Sequence, residues 1–359
     1  MRRERGAQRE GPLRYVIVAA MGLLLAVAPA LSQQEGHLQP GSDPSVLPGP
    51  VLIADEDNDR IILVDPEGRV VWTFPEAGDL RPGETFKSPD DAFYTADGKQ
   101  IIVTHEENFA VSLVDIASRR IVWRYGTPGV HGHGPDQLWN PDDALVLPDG
   151  HVLIPDIKNC RILLVAQGTH TPERVYGAAR RPPGGCKHDP PRIFGSPNGA
   201  FPMRNGHYLV TEIQGAWHSE FDVKTGTVIR SFQVPGARYP SDSNEVEPGR
   251  YITADYSKPG QILMFDGAGK VLWRYKPTGK DALDHPSMAK VLPNGMVIAN
   301  DDSNHRVIVV DPKTNRIVWQ YGQTGRKGRE PGLLNTPDGI DLAPPHSLLI
   351  VHKTTMGTP

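Results

Sequence analysis

Cysteine is nearly missing from this chain: 359 residues contain two, Cys160 and Cys186, which allow one disulfide at most and no CxxC pair. Aromatic residues make up only 7 %. Beyond the first 32 residues no stretch keeps a 3.6-residue apolar period, which argues against a helical bundle. GxSxG and HExxH are also missing, so no compact hydrolase or zinc-protease signature is present. Basic charge is not in excess either, with 38 Lys and Arg against 42 Asp and Glu, so nucleic acid is not an expected partner.

The N-terminus is read separately. MRRERGAQREGPLR carries five Arg and is followed by the apolar YVIVAAMGLLLAVAPAL and then Ser-Gln-Gln, the order of a signal peptide. Ala28-Pro29-Ala30 offers a cleavage pattern, so residues 1–32 are expected to be a signal peptide or, uncleaved, an N-terminal anchor and the sole membrane contact. Loss of residues 1–30 leaves 33 basic against 40 acidic residues, a net charge of about −7. The composition of residues 33–49, QQEGHLQPGSDPSVLPG, predicts a flexible linker. Export to the periplasm or the extracellular space follows as the expected localisation, and residues 50–359 as one domain.

What the chain has in abundance is Gly (37) and Pro (35), and they recur in order. A polar residue, Pro and a turn pair lead into a short strand, then Asp-Gly or Asn-Gly, then three more strands, the last often holding Trp. The leading prolines are Pro89, Pro141, Pro197, Pro240, Pro286 and Pro337, spaced by 52, 56, 43, 46 and 51 residues. Asp97-Gly98, Asp149-Gly150, Asn205-Gly206 and Asn294-Gly295 supply the positive φ that tight hairpins need. Six units of four strands predict an all-β, six-bladed propeller of antiparallel blades. The first unit lacks its proline-led strand and TPDGIDL at the C-terminal end is surplus, so the C-terminal strand is expected to complete the N-terminal blade. SLLIVHK (347–353) has no place in this scheme.

The strings NDRIILVDPEG, NCRILLV, NHRVIVVDPKT and YGQTGRKGREPGLLNTPDGI resemble NHL repeats, over essentially residues 50–345. The G-x-[IV]-[VL]-W strand ends and HPSMAKVLPNG give a less specific resemblance to PQQ-like and arylsulfotransferase-like exported propellers. Both imply the same fold, which names no chemistry by itself.

In such a fold the links between blades and the turns after second strands share one face, here called the top, where function is expected. The second strands end in Asp55, His105, Asp156, Glu212, Asp255 and Asp301. These are expected to accept backbone hydrogen bonds or to pair with a following Arg, which singles out His105. The first strands begin Asp90-Asp91, Asp142-Asp143, Asn198-Gly199, Ser241-Asp242, Ser287-Met288 and Asp338-Gly339. Asp91, Asp143, Asn198 and Asp242 are the candidate ligands for a metal, Ca²⁺ being the cation that suits converging oxygens; capping of each residue's own link is the alternative. Two residues on, Asn244, Lys290 and Asp341 are polar in a ring otherwise made by Phe93, Leu145 and Phe201; Lys290 is expected to pair with Asp341, and the alternative makes these three candidate ligand-binding residues facing the channel. Trp139 and Trp217 break the register of the fourth-strand tryptophans and are candidate ligand platforms. Cys160 and Cys186 are expected to form a disulfide.

Two functions fit. One is a monomeric exported binding module whose top face takes a protein, a glycan or a small molecule. The other is a propeller enzyme, using His285, His105 or His218 in the group transfer that the arylsulfotransferase-like resemblance implies, or a metal in hydrolysis or lyase chemistry.

Overall fold

The computed structural model describes residues 36–347. The expected leader (1–32) and most of the unplaced 347–353 segment lie outside them. Among the described residues no helix is long and apolar enough to cross a membrane.

Six four-stranded antiparallel sheets form the blades of a propeller. The innermost strands are Pro337–Leu342 (blade 1), Pro89–Tyr94 (blade 2), Leu145–Val146 (blade 3), Pro197–Pro202 (blade 4), Pro240–Glu247 (blade 5) and Ala289–Val291 (blade 6). Closure is as the repeat predicts: Pro337–Leu342 pairs antiparallel with Val51–Asp55, placing Val51 opposite Leu342 and Asp55 opposite Pro337. The two ends of the domain are thereby held in one sheet, which removes an open edge.

Second strands such as Val51–Asp55 and Val297–Asp301 are buried throughout, as sheets packed on both faces require. In the outermost strands the ladder slips by one residue just before each tryptophan. Leu63 faces Trp72 but Val64 faces Val70, and the same slip precedes Trp123, Trp273 and Trp319. These rings bind blades together: Trp319 Nε1 donates to the Pro66 carbonyl at 2.9 Å and Trp273 Nε1 to Asn315 at 2.9 Å.

The expectation of a flexible linker at 33–49 is corrected for residues 36–49. Gln39 N–H donates to the Gln320 carbonyl and Asp43 N–H to the Val318 carbonyl, so this segment runs along the outer edge of blade 6. Val46 and Leu47 are buried in the main core, and Asn294 Nδ2 donates to the Val46 carbonyl. Polar composition predicted a free tether, but two apolar side chains and an unpaired strand edge were enough to dock it.

Cys160 and Cys186 form a disulfide across 26 residues, fastening the link between blades 3 and 4 to the top of blade 3. Such a bond is what an oxidising compartment permits.

Candidate functional site: a buried carboxylate cluster at the channel mouth

The site begins with a backbone irregularity that the blades repeat. The residue before the leading proline sits at positive φ in five of them: Ser88, Asn140, Ser196, His285 and Thr336. After the proline the ladder with the second strand breaks, pairing Pro89 and then Ala92, Pro197 and then Ala200, Pro240 and then Ser243. In blade 3, Pro141 bridges Asp156 and pairing resumes only at Leu145. A bulge of this kind re-aims side chains that a regular pleat would send to opposite faces. Both residues after the proline are therefore available to the channel mouth.

The outcome is a convergence of acids. Ligand oxygens of Asp91, Asp142, Asp143 and Asp242 lie within 4.8 Å of one another. Two glycines make room for them. A Cβ on Gly199 would stand 2.6 Å from Asp143 Oδ2 and 2.6 Å from Asp242 Oδ1, and one on Gly339 would collide with Asp91 Oδ1. Asn198 turns its amide nitrogen to Asp142 Oδ2 and Ser241 Oγ, so in this arrangement it orients the cluster as a donor. Both oxygens of Asp143, which is 1 % exposed, lack any N–H or O–H donor, as do Asp91 Oδ1 and Asp242 Oδ1; the carboxyls of Asp91 and Asp242 lie within hydrogen-bonding reach of Asp143.

Four ionised carboxylates cannot share this space unaided. At an effective dielectric of about 20, each pair at 4.8 Å repels by roughly 3.5 kcal/mol, and six pairs by roughly 20. That exceeds the whole stability of a typical domain. Burial, then mutual repulsion, holds Asp91, Asp142 and Asp143 well above the usual carboxylate range. Asp242 is pushed up to about 7, chiefly by burial. Either protons or a cation must neutralise the cluster. The donor set, all oxygen and spread over 4.8 Å, matches Ca²⁺, whose oxygens at roughly 2.3–2.6 Å span about 4.6–5.2 Å across the ion.

A floor lies beneath. Phe93 of blade 2 and Phe201 of blade 4 meet edge to face, with ring centroids 5.5 Å apart. Lys290 Nζ sits 4.9 Å from the Phe93 ring and 2.9 Å from Asp341 Oδ1, which is the expected pair. Asn244 reaches only the Ala289 carbonyl, at 3.5 Å. Apolar rings and one ion pair therefore occupy the positions two residues further along the innermost strands.

The histidines divide sharply. His105 is 1 % exposed, bonded to the Lys87 carbonyl and Ser112 Oγ, and burial pulls its pKa down to about 3. His218, 0 % exposed, touches Ser243 Oγ and stacks against Phe232; burial takes it to about 3 as well. Both hold blades together as neutral rings and neither reaches the mouth cluster. His285 is different: half-buried, its Nδ1 lies 2.7 Å from Asp284 Oδ1 and its ring 4.8 Å from that of Tyr256.

The second-strand ends prove to be clamps. Asp55, Asp156 and Asp301 hold Arg60, Arg161 and Arg306 at 2.7, 2.8 and 2.7 Å. The other oxygen of each accepts the N–H two residues before the leading proline, from Asn335, Trp139 and Asp284. His105 occupies the same place with reversed polarity, facing the Lys87 carbonyl. Trp139 and Trp217 lie in top-face elements and are already stacked: His131 and Arg181 pack on Trp139, and His188 stacks on Trp217 at 4.1 Å.

Several acids were not singled out from the sequence. Asp142 joins the deep cluster, and Asp90, Glu106 and Asp142 converge in a second group, Glu56, Asp90 and Asp338 in a third. Asp90, Asp142 and Asp338 belong to the pairs that follow the leading prolines. Glu56 and Glu106, each one residue past a second-strand end, carried a detectable signal: an acid repeated at one register position.

No protein-family model matches the chain, and no curated protein does. Solved structures share the fold. A Bacteroides caccae protein of unknown function superposes with a TM-score of 0.55 at 16 % identity, over 82 % of this chain and 98 % of that one. Virginiamycin B lyase from Staphylococcus aureus gives 0.49 at 13 % identity, over 77 % and 85 %, and the WD40 propeller domain of Doa1 gives 0.48 at 12 %, over 79 % and 81 %. At these identities the likeness is one of fold, and the narrower NHL-repeat reading rests on the repeat strings alone.

Proposed function

We propose that the protein is an exported, cation-dependent binding module whose top face recognises oxygen-bearing groups of a protein, glycan or small-molecule ligand. The observation that carries this is Asp143, buried with both oxygens unpartnered among Asp91, Asp142 and Asp242. A buried ionised carboxylate without a donor costs more than the fold can spare, so the cluster is neutralised either by protons shared among its carboxyls or by a cation, and its all-oxygen donor set suits the cation. Asp91, Asp142, Asp143 and Asp242 would hold Ca²⁺, with Asn198 steering Asp142. The disulfide supports export. Metal analysis of purified protein, followed by calorimetric titration of Ca²⁺ into the chelator-treated chain, tests the reading. One ion or more per chain is expected, lost on Asp143→Asn with Asp242→Asn; no binding at millimolar Ca²⁺ would sink it. Glycan and peptide arrays with and without chelator then identify the ligand.

An enzyme is the second reading, and His285 carries it. Of the three histidine candidates it alone keeps a ring at the surface, oriented by Asp284 and close to Tyr256. Such a ring can take or give a proton at Nε2 while Asp284 fixes Nδ1. A bound Ca²⁺ would add polarisation of a substrate oxygen. Ester, lactone and aryl-sulfate screens of the wild type against His285→Ala decide this reading.

A further inference from the structure

Nine carboxylates crowd the mouth or its rim, and one divalent ion cannot satisfy them. The deep cluster draws mainly on the second residue after each proline, Asp91, Asp143 and Asp242. The first residues after the prolines, Asp90 and Asp338, combine with Glu56 in a separate group whose oxygens lie within 4.8 Å of one another, and Asp90 and Asp142 form another with Glu106. Asp142 belongs to both the deep cluster and this linking group. We infer that the mouth holds a second divalent cation, bound by Glu56, Asp90 and Asp338 and coupled to the deep ion through Asp142 and Glu106.

Two buried atoms beside these acids have no donor. Asp90 is 2 % exposed and Asp302 0 % exposed, yet Asp90 Oδ2 and Asp302 Oδ2 accept no hydrogen bond from any N–H or O–H. Both side chains lie within hydrogen-bonding reach of the Asp338 carboxyl, so the three must share protons or a cation. The surroundings are built to hold these groups in place. Asn300 Nδ2 donates to Ser287 Oγ at 2.6 Å, and Ser287 Oγ donates to the Asp338 carbonyl at 2.9 Å and lies 3.4 Å from Asp302 Oδ1. Consecutive residues feed the two sites, Asp90 with Asp91 and Asp142 with Asp143, so the spacing of the ions is set by two rigid bulges. Glu56 and Asp338 are only partly buried, which leaves the outer ion room for water or a ligand oxygen. The deep ion, among Asp91, Asp143 and Asp242, is the enclosed one.

This inference uses the deep site of the proposed function as its reference, and the test separates the two. Chelator-treated protein is titrated with Ca²⁺ by calorimetry and with Tb³⁺ by luminescence sensitised through Tyr239 and Tyr256, both close enough to feel the charges of Asp90 and Asp338. Two ions per chain are expected for the wild type. Glu56→Gln with Asp338→Asn should leave one ion, and Asp143→Asn with Asp242→Asn should leave the other. One ion that survives Glu56→Gln/Asp338→Asn and vanishes with Asp143→Asn/Asp242→Asn overturns the second site while the proposed function stands. One ion with the opposite pattern keeps the mouth site and removes the deep one. Should a variant fail to fold, Mn²⁺ electron paramagnetic resonance on the wild type decides. Spin–spin broadening as the second equivalent is added is expected; an isolated Mn²⁺ spectrum saturating at one equivalent overturns the inference.

Discussion

Lys290 of blade 6 and Asp341 of blade 1 form an ion pair of 2.9 Å directly beneath the carboxylate cluster. Asp341 Oδ2 also accepts the Tyr94 N–H, so one carboxylate binds three consecutive blades at the closure point. Lys290 is also a favourable charge for Asp91 and Asp242. Lys290→Met is expected to cost about 2–3 kcal/mol by stranding Asp341, while raising Ca²⁺ affinity several-fold because a repelling charge has gone. Chemical denaturation and calorimetry read the two effects; weaker Ca²⁺ binding would contradict the placement.

The pH dependence of the cation-free protein has a definite sign. Burial pushes Asp338 up to about 6, Asp242 and Glu106 up to about 7 and Glu56 up to about 9, against roughly 4 in an unfolded chain. The folded state therefore binds more protons than the unfolded one above about pH 4, and stability falls as pH rises. With chelator present, the denaturation midpoint should drop between pH 5 and pH 8. Excess Ca²⁺ should abolish or reverse that slope, since cation and protons compete for the same oxygens.

Gly199 gives a test that removes no ligand. A methyl group there would meet Asp143 Oδ2 and Asp242 Oδ1 at 2.6 Å. Gly199→Ala should weaken Ca²⁺ binding by about 10–100-fold, as displaced metal ligands do. Unchanged affinity would mean that the deep carboxylates do not hold the ion.

Substitution should separate the histidines by kind of effect. His105→Ala leaves the Lys87 carbonyl without its side-chain partner, leaves Ser112 Oγ with Arg124 Nε alone and opens a cavity beside Phe86. A loss of about 2–4 kcal/mol is expected, with no change in ligand or cation affinity at a temperature where the protein stays folded. His285→Ala should barely change stability and should abolish turnover if the protein is an enzyme.

Reduction of the bond between Cys160 and Cys186 should lower stability by roughly 3.5 kcal/mol from loop-closure entropy. Protease sensitivity should increase within the link between blades 3 and 4, seen as new cleavage sites in residues 178–195 by mass spectrometry.

The sequence by itself determined the architecture and its fastenings. Prolines at a 43- to 56-residue spacing, Asn-Gly and Asp-Gly turns and alternating apolar strands specify blades, because turn chemistry and pleat periodicity are local. Cys160–Cys186, Lys290–Asp341 and the Asp–Arg clamps follow from register once six blades are assumed. Tertiary structure decided the rest. The bulges after the prolines turn adjacent acids to one mouth, which a period of two does not anticipate, so Asp142 joins Asp91, Asp143 and Asp242, and Asp90 meets Glu56 and Asp338. Burial, a property of the closed ring and not of any segment, makes His105 and His218 neutral braces while leaving His285 at the surface. It is also burial that docks residues 36–49 along blade 6, since the edge they cover exists only once that blade has formed.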